Sequence, residues 1–262
     1  MRLATWNVNS IKARLPFVLG WLKARRPDVV CIQELKVADD DFPYDAFDAA
    51  GYRCAVHGQP QWNGVAVLSR RPAEVVQRGL PGAEDQGARL VTAVVDGLSV
   101  TSVYVPNGKT VEHPDYEAKL VWLDRLGDYV EKVVNPAAPH VIGGDFNIAP
   151  GPLDSWDPQR FAGTIFHTDA ELERYERLLG AGLDDLYRHT HPDGAMFSWW
   201  DYRAGAFHKN QGLRIDFLLA TAPVRDRVDT IGVDRDYRKK HDGETPSDHA
   251  PVIADLGDQE TT

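Results

Sequence analysis

Short apolar runs alternate along this chain with segments in which apolar residues recur every three or four positions, the two periods that separate strands from helices. Residues 2–7 read as a strand. Leu15, Val18, Leu19 and Leu22 then follow helical spacing, with a start at Pro16 and a stop at Pro27. Val29-Val30-Cys31-Ile32 is an unbroken apolar run, the mark of a buried strand, and it delivers Glu34 at its C-terminal end. Residues 65–68 form another such run. Asp96-Gly97 stands between apolar runs at 90–95 and 98–105 and predicts a tight hairpin. Tyr116, Leu120, Leu123, Leu126, Val130 and Val133 mark a long amphipathic helix over 114–134. A strand over 140–143 leads into Asp145, a second clear helix covers 169–179, and strands at 215–220, 228–233 and 252–256 close the pattern. No repeat, low-complexity stretch or linker interrupts it. The pattern predicts one α/β domain with mixed sheets over residues 1–257, followed by a frayed, disordered tail at 258–262.

Composition adds to this. With 262 residues and 43% hydrophobic positions, the chain is long for one domain but can bury a sizeable core. Two cysteines, Cys31 and Cys54, are too few for a disulfide framework, so a reduced, cytoplasmic protein is expected. The N-terminus enters Arg2-Leu3-Ala4-Thr5-Trp6-Asn7 directly, without the basic and apolar regions of a signal peptide, and export is not expected. No stretch approaches the roughly 20 apolar residues of a membrane span, so no membrane partner is expected. A net charge of −10 argues against tight, metal-free binding to DNA. It says less where carboxylates gather around a cation. Asp39-Asp40-Asp41 reads as a solvated loop, and basic clusters stand at Arg25-Arg26, Arg70-Arg71 and Arg238-Lys239-Lys240.

Polar groups at the ends of apolar segments carry the chemistry. They are Thr5-Trp6-Asn7, Ile32-Gln33-Glu34, Gly143-Gly144-Asp145-Phe146-Asn147, and Ser247-Asp248-His249 held between Pro246 and Pro251. An amide, carboxylates and a histidine in such places point to a cation site for handling phosphate. Phosphodiester hydrolysis builds negative charge in its transition state, which a hard cation on oxygen ligands stabilises. The attacking water also needs a base and a fixed orientation. Asp145 and Asn147, two apart, would share a face of an extended segment, and the two glycines before them would let backbone and substrate approach closely. Each residue also has an ordinary structural reading. Glu34 could be a solvated strand end, Asn7 a helix cap, and Gly-Asp-Phe-Asn an Asx turn. Asp248-His249 could be a surface ion pair, and Tyr104 a core aromatic with a wet hydroxyl before Pro106-Asn107-Gly108. Their joint occurrence argues for a site.

In their order along the chain these motifs resemble the exonuclease III family of apurinic/apyrimidinic (AP) endonucleases, within the endonuclease/exonuclease/phosphatase superfamily. The resemblance covers Trp6-Asn7-Val8-Asn9, Gln33-Glu34, Trp62-Asn63-Gly64-Val65-Ala66, Tyr104-Val105-Pro106-Asn107-Gly108 and Gly144-Asp145-Phe146-Asn147-Ile148-Ala149-Pro150. It continues through Phe197-Ser198-Trp199-Trp200-Asp201-Tyr202-Arg203, Arg214-Ile215-Asp216-Phe217-Leu218-Leu219 and Ser247-Asp248-His249-Ala250-Pro251. The Asn, Glu, Gly-Asp-x-Asn and Ser-Asp-His elements are common to the superfamily. The Ser-Trp-Trp-Asp-Tyr-Arg and Arg-Ile-Asp-Phe-Leu-Leu segments point to its DNA-repair branch.

The resemblance implies a four-layered α/β sandwich of two packed mixed β-sheets flanked by helices. It implies Glu34 as the main ligand of a Mg2+ or Mn2+ ion, with Asn7 and Asp248 near the metal. Asp145 would deprotonate the attacking water, and Asn147 would hold that water or the phosphate. His249 would contact the scissile phosphate, with its tautomer fixed by Asp216. Tyr104 and Asn107 would bond phosphate oxygens. Trp199 and Leu213 would line an apolar pocket for a flipped-out, baseless sugar, whose extrusion breaks no base pair. Some relatives carry Gln in place of Asn107 and an acid in place of Asn9. The implied activity is metal-dependent incision 5′ to abasic sites in duplex DNA, with 3′-to-5′ exonuclease action and cleaning of 3′-blocked ends, by a monomer. Two other readings stand beside it: a phosphodiesterase or phosphatase acting on RNA or an inositol phosphate, and a non-catalytic relative that senses damaged DNA.

Overall fold

The structure is a computed structural model, and it describes residues 1–257. The tail expected at 258–262 lies outside the described residues. Among the described residues twelve strands are interspersed with helices. Strands β1 (Arg2–Asn7), β2 (Val29–Gln33), β3 (Arg53–His57), β4 (Val65–Ser69), β5 (Glu74–Arg78) and β6 (Leu90–Val95) precede β7 (Leu98–Tyr104) and β8 (His140–Asp145). Strands β9 (Asp184–Asp185), β10 (Asp216–Ala220), β11 (Val228–Val233) and β12 (Val252–Leu256) follow. They build two six-stranded mixed sheets, ordered β11-β12-β1-β2-β4-β3 and β5-β6-β7-β8-β10-β9. Each sheet has one parallel pair at its centre, β1 with β2 and β7 with β8.

Alternation along the strands sets the layers. Leu3, Val29, Cys31, Val65 and Val67 of the first sheet meet Val91, Ala93, Val100, Val141 and Leu218 of the second. The residues between them in sequence face outward. Ala4, Trp6, Val30, Ile32 and Leu68 pack under α1 (Ile11–Arg25) and α2 (Tyr44–Ala49). On the far side, Leu90, Val103, Ile142, Phe217 and Leu219 pack under α3 (Pro114–Val133) and, beyond the short α4 (Pro158–Phe161), α5 (Asp169–Gly180). Short helices α6 (Leu186–Thr190) and α7 (Ala222–Arg225) complete the fold, which is the expected four-layered sandwich. Among the described residues no helix is long and apolar enough to cross a membrane.

Three local expectations change. Helix α1 begins at Ile11 rather than Pro16, because the Ser10 hydroxyl caps the Ala13 N–H, and Pro16 lies inside it. The helix accommodates Pro16 with a kink at Arg14, whose φ of −123° leaves helical space. The glycines before Asp145 serve packing rather than substrate. A Cβ on Gly143 would meet Cys31 Sγ of the opposite sheet at 2.9 Å, and one on Gly144 would meet the Val103 carbonyl oxygen at 2.1 Å. Asp39-Asp40-Asp41 forms a single exposed 3₁₀ turn instead of an open loop. The Asp96-Gly97 hairpin forms as expected, with φ of 47° and 82°, the positive pair a tight primed turn requires.

The Arg of the Arg-Ile-Asp-Phe-Leu-Leu segment is structural. The Arg214 guanidinium, 1% exposed, donates to Asp154 Oδ1 and Asp185 Oδ2, both at 2.7 Å, and lies 4.6 Å from the centre of the Phe217 ring. It ties β9 and the segment after β8 to the entry of β10. Removing the cation leaves buried Asp185 without a charged partner and Asp154 with Arg188 alone, and breaking a buried pair costs about 3–5 kcal/mol. Arg214→Met is expected to lower the free energy of urea unfolding by about that amount, read from the midpoint at unchanged slope.

Candidate active site

The C-terminal ends of both parallel pairs open at the same end of the sandwich. β1 ends on Asn7, β2 is followed by Glu34, β7 ends on Tyr104 and β8 ends on Asp145. The antiparallel neighbours begin there: Asp216 starts β10 opposite Asp145, and Ser247-Asp248-His249 enters β12 beside β1. Strand topology therefore gathers residues from the whole chain into one cleft, and one atom of each of Glu34, Asp145 and His249 lies within 4.8 Å of the others.

Asn7 lies at the centre. Its Nδ2 donates to Glu34 Oε1 at 2.7 Å and to Asp145 Oδ2 at 2.9 Å, while its Oδ1 accepts the Asn9 N–H. It does not cap α1, since Ser10 does. The backbone turns sharply here: Glu34 and Asn147 have φ of 55° and 49°, left-handed values that non-glycine residues seldom adopt. Asn147 is thus not the extended partner of Asp145. The two meet through an Asx turn in which the Asn147 N–H donates to Asp145 Oδ1 at 3.0 Å, so the turn reading and the site reading both hold. Asn147 Nδ2 donates to the Val105 carbonyl, and Asn107 Nδ2 reaches Asn147 Oδ1 at 3.4 Å.

His249 Nδ1 is 2.9 Å from Asp216 Oδ2, and its Nε2 is 3.7 Å from Asp145 Oδ2. Burial alone would favour the neutral ring. The Asp216 and Asp145 carboxylates outweigh it and raise the imidazole to about 10. A protonated ring has no lone pair for a metal, so the donors available to one are carboxylate and amide oxygens. Burial, with Asp216 and Glu34 close by, raises Asp145, against the opposing pull of His249. The Tyr104 phenol is held well above its ordinary value by burial and by Glu34 and Asp145, so at neutral pH it is a hydrogen-bond donor.

Asp248 turns away from His249. Its Oδ2 accepts the Trp199 indole N–H and its Oδ1 the Asn9 amide, each at 3.0 Å, so it joins the cleft at one remove from Glu34 and Asp145. Trp199 and Leu213 pair through their backbones and face a pocket of about 530 Å³ that also takes in Phe166 and Trp156.

Several residues escaped the sequence reading. Lys36 Nζ binds Glu34 Oε2 at 2.8 Å and Asn9 Oδ1 at 2.7 Å, fixing the plane of the Glu34 carboxylate. Ser198 Oγ accepts the N–H groups of Ile215 and Asp216. Lys119 and Glu171, both fully buried, form an ion pair, and Lys119 Nζ also donates to the Asn147 carbonyl at 2.7 Å. Its signal was present: Lys119 falls on the apolar stripe of α3 between Tyr116 and Leu123.

Comparison with known proteins identifies this arrangement. The Endonuclease/Exonuclease/phosphatase family matches residues 4–249. The chain belongs to this family, in its exonuclease III branch. It is 34% identical to exodeoxyribonuclease III of Haemophilus influenzae over 98% of this chain and all of that one. An AP endonuclease from Archaeoglobus fulgidus superposes with a TM-score of 0.94 at 35% identity, covering 98% and 99% of the two chains. A 3′ phosphatase from Neisseria, solved with a product DNA hairpin, superposes at 0.93 with 37% identity and the same coverage. The protein is accordingly a phosphodiester-cleaving nuclease.

The Asp216–His249 pair makes a pH prediction. A folded-state pKa above the unfolded one stabilises the protein fully below the unfolded value of roughly 6.5, and the gain is lost as pH rises towards about 10. In chelator-treated protein, Asp216→Asn is expected to lower the His249 pKa by a unit or more, at about 1.4 kcal/mol per unit. An NMR titration of the ring that does not move would separate the two residues.

Proposed function

We propose that this DNA repair nuclease hydrolyses the phosphodiester 5′ to abasic sites in duplex DNA, with the aid of a divalent cation, and also trims and unblocks 3′ ends. The observation that carries the reading is the convergence of Asn7, Glu34, Asp145 and the Asp216–His249 pair at one strand-end cleft, beside an apolar pocket walled by Trp199 and Leu213.

The donor set fits a hard cation. Glu34, Asp145 and Asp216 place three carboxylates around one imidazolium, with Lys36 the nearest other cation to Glu34. Each Glu34 oxygen accepts one hydrogen bond and keeps a lone pair, so Glu34 would hold Mg2+ or Mn2+, with the Asn7 Nδ2 orienting its carboxylate. When bound, the ion would neutralise charge developing on the phosphate. The remaining steps belong to side chains. Asp145, oriented by Asn7 and by the Asn147 N–H, takes a proton from the attacking water as oxygen bonds to phosphorus. Its raised pKa suits a general base. His249 offers Nε2–H to a phosphate oxygen, and Tyr104 and Asn107 donate to the others. The P–O3′ bond breaks, and the departing O3′ takes a proton from solvent water to become the 3′-hydroxyl. Trp199 and Leu213 form the wall against which the baseless sugar rests.

The same site chemistry is compatible with RNA or an inositol phosphate as substrate, and the aromatic wall favours the abasic duplex. Glu34→Gln is expected to cut abasic-site incision at least a hundredfold with the fold intact by circular dichroism. EDTA should abolish wild-type cleavage, with recovery on adding Mg2+. Near-normal cleavage in both cases would remove the metal from the mechanism.

Trp199→Ala is expected to lower kcat/KM on an abasic duplex tenfold or more while leaving the salt-dependent affinity for undamaged duplex, mostly phosphate contacts, within about twofold. Equal loss of both would reduce Trp199 to a packing residue.

A further inference from the structure

Lys119 and Glu171 have no exposed side-chain surface, and no step of the cleavage uses either. A buried ion pair adds little net stability, because lost hydration offsets the attraction. It can supply registry instead, and the contacts of this pair say where. The Lys119 ammonium has three N–H groups and three acceptors: Glu171 Oε1, the Asn147 carbonyl at 2.7 Å and the Asn107 carbonyl at 3.4 Å. Asn107 follows β7 and Asn147 follows β8, so one cation on α3 holds the backbones of both asparagines assigned to phosphate. Gly108, with φ of 84°, lies on the lysine stem, where a Cβ would come within 3.1 Å of Lys119 Cδ.

Glu171 secures the other side. It closes the capping box at the start of α5, where its Oε2 accepts the Thr168 N–H at 3.1 Å. Its Oε1 also accepts the Phe166 N–H at 3.2 Å, and the Phe166 carbonyl in turn accepts the Ala149 N–H at 2.8 Å. The pair thus grips the chain at Asn147 through the lysine and two residues further on through the glutamate. That grip falls on a residue that needs it. Asn147 has a left-handed φ of 49°, its N–H is fixed on Asp145 Oδ1 and its carbonyl on Lys119, and its Oδ1 meets Asn107 Nδ2 at 3.4 Å. Hydrogen bonds from a charged donor are roughly twice as strong as neutral ones, which suits a cation to holding two turns at once.

We infer that Lys119, braced by Glu171, is a positioning residue that sets the separation of Asn107 and Asn147 and so aims both side-chain amides at the scissile phosphate. Being fully buried, it touches no substrate and acts only through the two segments whose carbonyls it holds. This deepens the nuclease reading and rests on its assignment of the two asparagines.

The test separates aim from stability. Lys119→Met/Glu171→Gln removes both charges together, and glutamine can keep the capping box, so its stability in urea should stay close to that of the wild type. Glu171→Gln alone keeps the ammonium on both carbonyls but takes away its charge partner, and should be the less stable of the two. Activity should run the other way. On a duplex with a recessed 3′ end and in Mg2+, the neutral pair should lose about tenfold or more in kcat, as small misplacements of reacting groups do. Its affinity for the same duplex, measured in EDTA, should stay within about twofold, because phosphate contacts elsewhere are untouched. Glu171→Gln should keep kcat within about threefold. In an Asn147→Ala background the neutral pair should cost no more than about twofold, since the lysine acts through that residue. Lys119→Leu/Glu171→Gln covers the case in which the methionine pair does not fold. Activity that follows stability across these variants, an undiminished loss in the Asn147→Ala background, or a loss of affinity as large as the loss of kcat would overturn the inference while leaving the asparagines in place. Near wild-type cleavage by Asn147→Ala would instead remove that asparagine from the phosphate, and the inference with it.

Discussion

An amide nitrogen at the centre of the cleft joins the two sheets of this molecule. Asn7 Nδ2 donates at once to Glu34, which follows a strand of the first sheet, and to Asp145, which ends a strand of the second. That amide holds the two carboxylates in a fixed relation. Asn7 is itself immobilised, because the Ser247 hydroxyl donates to its carbonyl at 2.7 Å, and its neighbour Trp6 donates its indole N–H to the His249 carbonyl. The segment that carries the histidine is thus locked to the strand that carries the amide. Carboxylates held this close repel one another, and the chain tolerates the arrangement because imidazolium, lysine and amide surround them.

The same logic resolves the conflict between an acidic chain and an anionic substrate. The net charge of −10 is spread over helices and loops, while the cleft holds Lys36, Arg89 and the His249 imidazolium among its acids. Local field and total charge are different quantities, and phosphate responds to the first.

Much of the fold could be read from periodicity, since unbroken apolar runs such as 29–32 and 65–68 occur only where both faces are buried. Strands β3, β5 and β9 escaped notice. β3 has only Cys54, Ala55 and Val56 between two polar ends, β5 alternates exposed and half-buried positions, and β9 is a pair of acidic residues. The start of α1 was misplaced because Pro16 is a strong start signal, whereas the effective cap, Ser10, sits in an unusual backbone conformation that no local pattern reveals. The site residues were legible as a set because each ends an apolar segment and because together they resemble a known family. What could not be read were the contacts between segments. Nothing in Ser-Asp-His says that its aspartate turns to Trp199 while its histidine turns to Asp216.

The first and last strands of the described chain lie side by side, and Trp6 touches His249 across 243 positions of sequence. Biosynthesis is therefore part of the chemistry. A nascent copy carries Glu34 before Asp145, but it has neither His249 nor the neighbour that completes β1 until residues 249–256 have been made. The cost falls on kinetics, because pairings so distant in sequence close a large loop before any contact repays it, and such topologies fold slowly.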